Sequence, residues 1–486
     1  MPIRVAILWH QHQPYYLDPL AERPEGAAML PWVRLHATRD YLGMAKIAAQ
    51  HDVRVTFNLV PSLVEQVLAF ADGTSDRFEE AARHCPAPTP EALRVAFEAH
   101  PEHQIDPWPR YAELRARAPQ LSAAELRDAL VWQQLTWFPE EERERVSKVR
   151  HLGRHFSDAE TEHVFAEARK IAARVVPVHR QLQREGRIEV TTSPYFHPIL
   201  PLLVDSDQCG EPRPLPPRFA WPDDADTQLR MAVEAHQGWF GAAPAGMWPS
   251  EGAVSPEVCR RIAAAGLRWI ATDEGILARA GVAPTPAHLC RPWRVAGTDL
   301  AIFFRDRALS DRIGFVYAGW RDPDAAARDF VDSIAAKYAG CDGVVSIVLD
   351  GENAWSWYAD DGRPFLHALY RRLAEDPRVT TTTFAEALET VGAHDTVTPA
   401  IGSWIDEPGS EPGVDLGTWI GKPRKNALWA ALAARRARGL PDDPRRRRAL
   451  LAAEGSDWFW WGDRDDEPGV EAAFRDLFHR YLAAAG

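Results

Sequence analysis

Gly343-Val344-Val345-Ser346-Ile347-Val348-Leu349-Asp350-Gly351-Glu352-Asn353-Ala354-Trp355 is the stretch on which the fold turns. Its first seven residues are nearly all apolar and rich in valine, which reads as a short buried strand. An acid, Asp350, stands at the strand end, with a glycine turn and a tryptophan just beyond. Met247-Trp248-Pro249-Ser250-Glu251-Gly252 is built the same way, with Glu251 following a short strand over 245–248. Five further strands are expected over residues 3–9, 53–59, 187–192, 267–272 and 300–304, several of them separated by helices. About seven strands in that alternation argue for parallel α/β architecture. Polar and aromatic residues cluster just after the strands, and in a barrel those C-terminal strand ends carry the site. A barrel is therefore favoured over an open doubly wound sheet. No G-x-G-x-x-G follows the first strand, which disfavours a dinucleotide fold.

Between the second and third strands, from about residue 64 to 185, the chain reads as helices in succession, a helical insertion in the barrel. Ser62 is expected as an N-cap, and Thr89-Pro90 gives an N-cap with proline at the first helical position. Ser122 with Glu125 and Ser157 with Glu160 have capping-box spacing. Further helices are expected over 227–239, from Ser255-Pro256 to near Gly266, and from Asp322-Pro323 to about 338. After about Gly392 the strand pattern disappears, and 426–438, 445–454 and 470–485 read as helices. The division expected is a barrel over 1–392 and a mainly helical domain over 393–486 that completes the cleft. The Pro-rich stretch 211–217 reads as a loop.

The chain has 486 residues, 46% hydrophobic, and a formal net charge of −13. It carries no long basic run, which argues against a nucleic-acid or anionic-membrane partner. Arg445 to Arg448 follow Asp443-Pro444 and read as the solvated start of a helix. No apolar stretch is long enough to span a bilayer. The N-terminus enters a strand directly, without the charged-then-apolar layout of a signal segment. The five scattered cysteines form no C-x-x-C pair, so reduced thiols in a cytoplasmic protein are expected.

Two carboxylates at strand ends beside indole rings suit glycosidic bond cleavage. One acid protonates the leaving oxygen, and one carboxylate meets the positive charge at the sugar carbon. Indole faces give flat apolar platforms for sugar rings. The chain has 19 tryptophans. Most are expected in the core, including most of Trp458-Phe459-Trp460-Trp461. Asp273, Glu274 and Glu352 compete with Glu251 and Asp350 as catalytic candidates. Plainer roles exist too, a helix-start acid for Glu251 and a turn residue for Asp350. In Trp9-His10-Gln11-His12-Gln13-Pro14 the two histidines project to one face of an extended segment, where they could bind hydroxyls, move protons or hold a metal. The metal reading is the weaker, since no further ligands lie nearby in sequence. Glu189, inside a strand pattern, is either at a solvent edge or turned into the barrel. His197 either lines the cleft or is a satisfied loop histidine. No nucleophile elbow or phosphate-cradling loop occurs.

His10-Gln11-His12-Gln13-Pro14, Gly186-Arg187-Ile188-Glu189, Trp248-Pro249-Ser250-Glu251 and Asp350-Gly351-Glu352-Asn353-Ala354-Trp355 resemble, in order, the motifs of glycoside hydrolase family 57. Gly402-Ser403-Trp404-Ile405 with Gly417-Thr418-Trp419-Ile420-Gly421 is similar to its fifth motif. The resemblance implies an α/β fold, an incomplete barrel of seven β/α units with a helical insertion and a C-terminal helical domain, and retaining chemistry on α-glucans. It implies Glu251 as nucleophile and Asp350 as general acid/base. His12, Glu189 and Trp248 match sugar-holding positions; His10, Trp355, Trp357, Trp404 and Trp419 are weaker carry-overs. The motif variants look most like the amylase and amylopullulanase group.

The activity expected is hydrolysis of α-1,4 bonds in starch, glycogen or maltooligosaccharides. A 4-α-glucanotransferase or branching-type transglycosylase is the nearest alternative. A metal-dependent carbohydrate deacetylase and a non-catalytic glucan-binding protein are alternatives of other classes. No cofactor is expected to be required; a structural calcium ion is compatible, although no acidic loop has EF-hand spacing.

Overall fold

The computed structural model describes residues 1–209, 215–405, 415–464 and 468–486. Residues 211–214 of the expected Pro-rich loop lie outside that set. The strands are β1 (Ile3–Gln11), β2 (Val55–Leu59), β3 (Ile188–Thr191), β4 (Gly246–Met247), β5 (Trp269–Asp273), β6 (Trp293–Val295), β7 (Ala301–Arg305), β8 (Val344–Asp350), β9 (Val379–Thr382) and β10 (Asp395–Val397). β8, β1, β2 and β3 pair in parallel, as do β4, β5 and β7. A parallel bridge from Thr192 to Met247 joins the two sets. The Asp306 N–H donates to the Ser346 carbonyl at 2.9 Å across the seam between β7 and β8. The seven expected strands therefore curl, in chain order, into an incomplete parallel barrel.

Strand parity explains what fills it. Along β1, Val5, Ile7 and Trp9 join the cluster under the surrounding helices, while Ala6 and Leu8 join a second cluster. That second cluster is the barrel interior, packed with Trp248, Trp269, Phe303 and Phe384. Side chains alternate along a strand, so His10 and His12 continue the inner face of β1 above Leu8. Val344 and Val348 are also inner, which places Asp350 on the same face. The lower barrel is a solid aromatic plug, and the polar residues stand on top of it.

Three short strands were not expected. β9 pairs with Ile3–Ala6 of β1, below the point where β2 joins at Leu8. β6 runs antiparallel to β7 and parallel to β10. β9 reads Val-Thr-Thr-Thr, and β6 and β10 have three residues each, too few to show a period. Strand structure thus continues past Gly392.

The helical insertion is present from Pro61–Ala71 to Val175–Arg184. Thr89 caps its helix, and both capping boxes form, at Ser122 and Ser157. Ser62 does not cap: Val60 precedes the helix, Pro61 takes its first turn, and Ser62 is buried behind it.

Helices Pro423–Arg436, Pro444–Ala452, Ser456–Trp461 and Pro468–Ala485 form the C-terminal region. Asp443 caps the second of these through the Arg446 N–H at 2.9 Å. The arginine run there is not wholly solvated. Arg448 packs over the Tyr195 and Phe196 rings and hydrogen-bonds Glu65, which also accepts from Tyr15 and Tyr195. Arg436 makes a buried two-point contact with Asp224 at 2.6 and 3.1 Å. These pairs fasten the helical region to the barrel. Among the described residues, no helix is long and apolar enough to cross a membrane.

Candidate active site

Glu251 follows β4 in a left-handed backbone conformation, φ 55° and ψ 26°. Few non-glycine residues adopt it, and it costs about 1–3 kcal/mol. Gly252 is also left-handed, and a Cβ there would lie 2.8 Å from the Trp248 ring, so glycine is required. The turn aims the Glu251 carboxylate at Trp404, whose indole N–H donates to Oε2 at 2.8 Å. The Trp404 backbone N–H also donates to the Glu251 carbonyl, at 3.0 Å. Trp404 is itself held between the Trp248 ring, 5.0 Å away, and the Arg305 guanidinium, also at 5.0 Å.

Asp350 ends β8 in register with His10 on the neighbouring strand and lines a large open cleft together with Trp404. Burial pushes the Glu251 carboxyl up to about 7; the Trp404 bond opposes this, and the charge of Asp350 adds to it.

Three imidazoles floor the site. His197, left-handed at φ 58°, stacks on His12 with centroids 3.9 Å apart and lies 5.2 Å from His10. Its Nδ1 is 3.0 Å from Ser456 Oγ and 3.9 Å from Glu251 Oε1. The Nδ1–H of His10 donates to Asn58 Oδ1 at 2.6 Å, because an amide oxygen can only accept. Burial holds His10 down to about 3, and it holds His197 well below the usual imidazole range. Both are therefore neutral at pH 7. His12 Nε2 meets the Asp457 carboxylate at 3.1 Å. His12 Nδ1, His197 Nε2, Trp248 Nε1 and Ser250 Oγ are buried with no protein partner. Buried polar atoms are normally paired, so a group of orphans marks a place for a polar ligand.

His10, His12, His197, Trp248, Glu251, Asp350 and Trp404 thus come together, and Trp357 stands further out along the same cleft. Three expected site residues do not. Glu189 is turned into the lower barrel, two residues below the top of β3. There it accepts from Trp269 Nε1 at 3.0 Å and from the Ala385 N–H at 3.0 Å. Trp355 packs on Trp9 and donates to the Gly351 carbonyl at 2.9 Å, away from the cleft. Trp419 is fully buried in the helical core.

The competing acids have other work. Asp273 is buried between Arg305 at 2.8 Å and Arg307 at 2.5 Å. Glu274 accepts from the Arg307 backbone N–H at 3.2 Å. Glu352 is buried and holds Gln13 Nε2 at 2.8 Å and the His12 N–H at 3.3 Å. Sequence reasoning missed Asn58, Arg305 and Asp457. Asn58 and Arg305 sit in strands or at their ends and give no local signal. Asp457 adjoins the Trp-rich cluster but comes from the far end of the chain.

Ligand atoms of His12, His197 and Asp457 lie within 4.8 Å of one another, the donor set that could hold a metal ion.

A family model, Glycosyl hydrolase family 57, matches residues 6–399. None of the curated proteins matches the chain. Among solved structures, the chain is similar to a branching enzyme from Thermococcus kodakaraensis. The identity is 18% and the TM-score 0.63, over 99% of this chain and 90% of that one. It is similar to an α-amylase from Thermotoga maritima at 15% identity and TM-score 0.65, over 100% and 93% of the two chains. A 4-α-glucanotransferase from Thermococcus litoralis follows at 14% identity and TM-score 0.60, covering 99% of this chain and 60% of that one. At these identities the likeness is one of fold.

Proposed function

The chain belongs to glycosyl hydrolase family 57, and from that premise we propose that it cleaves α-1,4-glucosidic bonds of starch, glycogen or maltooligosaccharides with retention. Glu251 attacks the anomeric carbon as Asp350 gives its proton to the departing glycosidic oxygen. The C–O bond to the leaving sugar breaks and a glycosyl-Glu251 ester forms. Water then loses a proton to Asp350 while its oxygen takes the anomeric carbon, and Glu251 departs as carboxylate. The Trp404 N–H stabilises that carboxylate. The neutral histidines and the indole of Trp248 offer hydrogen-bonding edges to sugar hydroxyls. No metal is required in this reading.

One observation supports it above the rest. Asp350 at the end of β8 lines the cleft, its charge reaches Glu251 after β4, and the indole N–H of the cleft residue Trp404 holds the Glu251 carboxylate. Maltoheptaose incubated with wild type and with Glu251→Gln tests it. The expected outcome is shorter oligosaccharides from the wild type and none from the variant. A ladder above and below seven units would make the enzyme a transferase. Activity surviving in Glu251→Gln would remove Glu251 as nucleophile.

A second reading, a metal-dependent carbohydrate deacetylase, draws on His12, His197 and Asp457. It predicts loss of activity in chelator, whereas the glycosidase reading predicts full activity.

A further inference from the structure

The cleft that holds Asp350 and Trp404 is about 1490 Å³ in volume and continues well past them. That exceeds the roughly 300–1,000 Å³ that encloses a compact small ligand, and suits a chain molecule. Its lining includes aromatic side chains left largely in solvent: Phe315 is 82% exposed, Trp357 62% and Trp320 42%. Large apolar side chains are seldom left in water as a group without a use.

These rings are held outward by an anchored backbone. Phe315 and Trp320 lie on the connection from β7 to the helix Pro323–Lys337. Beneath them Ile313 and Tyr317 are fully buried. Tyr358 donates to the Ile313 carbonyl at 2.6 Å, and Tyr317 donates to Asp329 at 2.7 Å. Arg312 ties the same turn to Ser333 at 2.8 Å. Phe315 belongs to a single π-helical turn, Arg312–Val316, and a second such turn, Pro101–Ile105 of the helical insertion, also reaches the cleft. π-Helical turns are rare and occur mostly at functional sites. Trp357 stands against the second turn, 5.3 Å from the His100 ring.

From this placement we infer that Phe315, Trp320 and Trp357 form a remote platform for an α-glucan chain. It holds sugar units several positions from the bond being broken, so the enzyme favours long chains over short ones. The inference rests on the glucan reading above. A glucan fits better than a protein partner because the apolar patch is continuous with the cleft at Asp350, and because Glu102, Asp311 and Arg321 line the same space. Pyranose rings offer C–H faces to the aromatics and hydroxyls to such charged groups.

The test is the double variant F315A/W320A; Phe315 stands largely in solvent, and Trp320 meets the edge of the Tyr317 ring at 5.4 Å. Turnover is measured on amylose and on the shortest maltooligosaccharide the wild type cleaves, and amylose binding is measured separately by affinity electrophoresis. The expected result is a roughly tenfold loss in kcat/KM on amylose, carried by KM. Activity on the short substrate and the melting temperature stay the same, and retardation by amylose weakens. Equal losses on both substrates, or no loss on amylose, overturn the platform. A wild type that turns over no α-glucan overturns the glucan reading instead. The binding arm still decides the platform in that case, since a wild type and variant equally retarded by amylose, or both unretarded, count against it.

Discussion

In the proposed reaction Glu251 is the nucleophile, and its surroundings pull it in two directions. Burial and the charge of Asp350 favour the neutral acid, while the Trp404 N–H favours the carboxylate. A nucleophile must be ionised, so kcat/KM should fall as pH drops through about 7, the value to which Glu251 is raised. Trp404→Phe keeps the ring and removes the donor. The carboxylate then loses a charge-assisted hydrogen bond, and the acidic limb of the pH profile should move up by about one unit. An unmoved limb would mean that Glu251 does not set it. At this scale much of the site was legible: both catalytic candidates could be chosen because each followed an apolar run. Trp355 and Trp419 misled because their sequence neighbourhood is shared with cleft residues while their rings point into the core.

At the scale of elements, strand parity is the governing rule, and it also explains the displaced Glu189. Burial raises its carboxyl to about 7 inside the lower barrel. A group raised above its unfolded value of 4.5 contributes stability that is complete below that value and is lost as pH rises through about 7. Wild type should therefore lose on the order of 3 kcal/mol more than Glu189→Gln between pH 5 and 9. Thermal melts across that range read it. The variant should keep near-normal kcat, because Glu189 lies below the cleft; a large loss of kcat would restore the sugar-holding role that the motif resemblance implied. The turn after β4 makes a separate prediction. Gly252→Ala forces a Cβ against Trp248 at a left-handed position. It should lower stability by about 1–3 kcal/mol and reduce kcat by moving Glu251, with substrate affinity less affected. Melting and steady-state kinetics on one preparation check both. The missed strands show the limit of periodicity: three-residue β6 and β10 exist because neighbours supply their pairing.

At the scale of the whole molecule, the site is finished by residues from the chain's two ends. His12 directly follows β1, and Asp457 and Ser456 come from a helix more than 400 positions later. That junction could not be read from sequence, since nothing local pairs Asp457 with His12. It depends on contacts such as Arg448 with Glu65, where a run that looks solvated contributes one arginine to a tyrosine-lined pocket. Arg448→Ala leaves Glu65 and two tyrosine hydroxyls without their cation. A loss of about 2 kcal/mol in stability is expected, with a fall in activity as the helix bearing Asp457 loosens. Unchanged melting would show that the junction is held elsewhere. The central claim is the division of labour between Glu251 and Asp350, and α-maltosyl fluoride tests it most directly. Its leaving group needs no proton, so Asp350→Ala should still form the glycosyl-enzyme but not hydrolyse it. Peptide mass spectrometry should then find one maltosyl unit on the peptide bearing Glu251. An adduct on another residue, or an inverted product with Glu251 unmodified, would contradict the account.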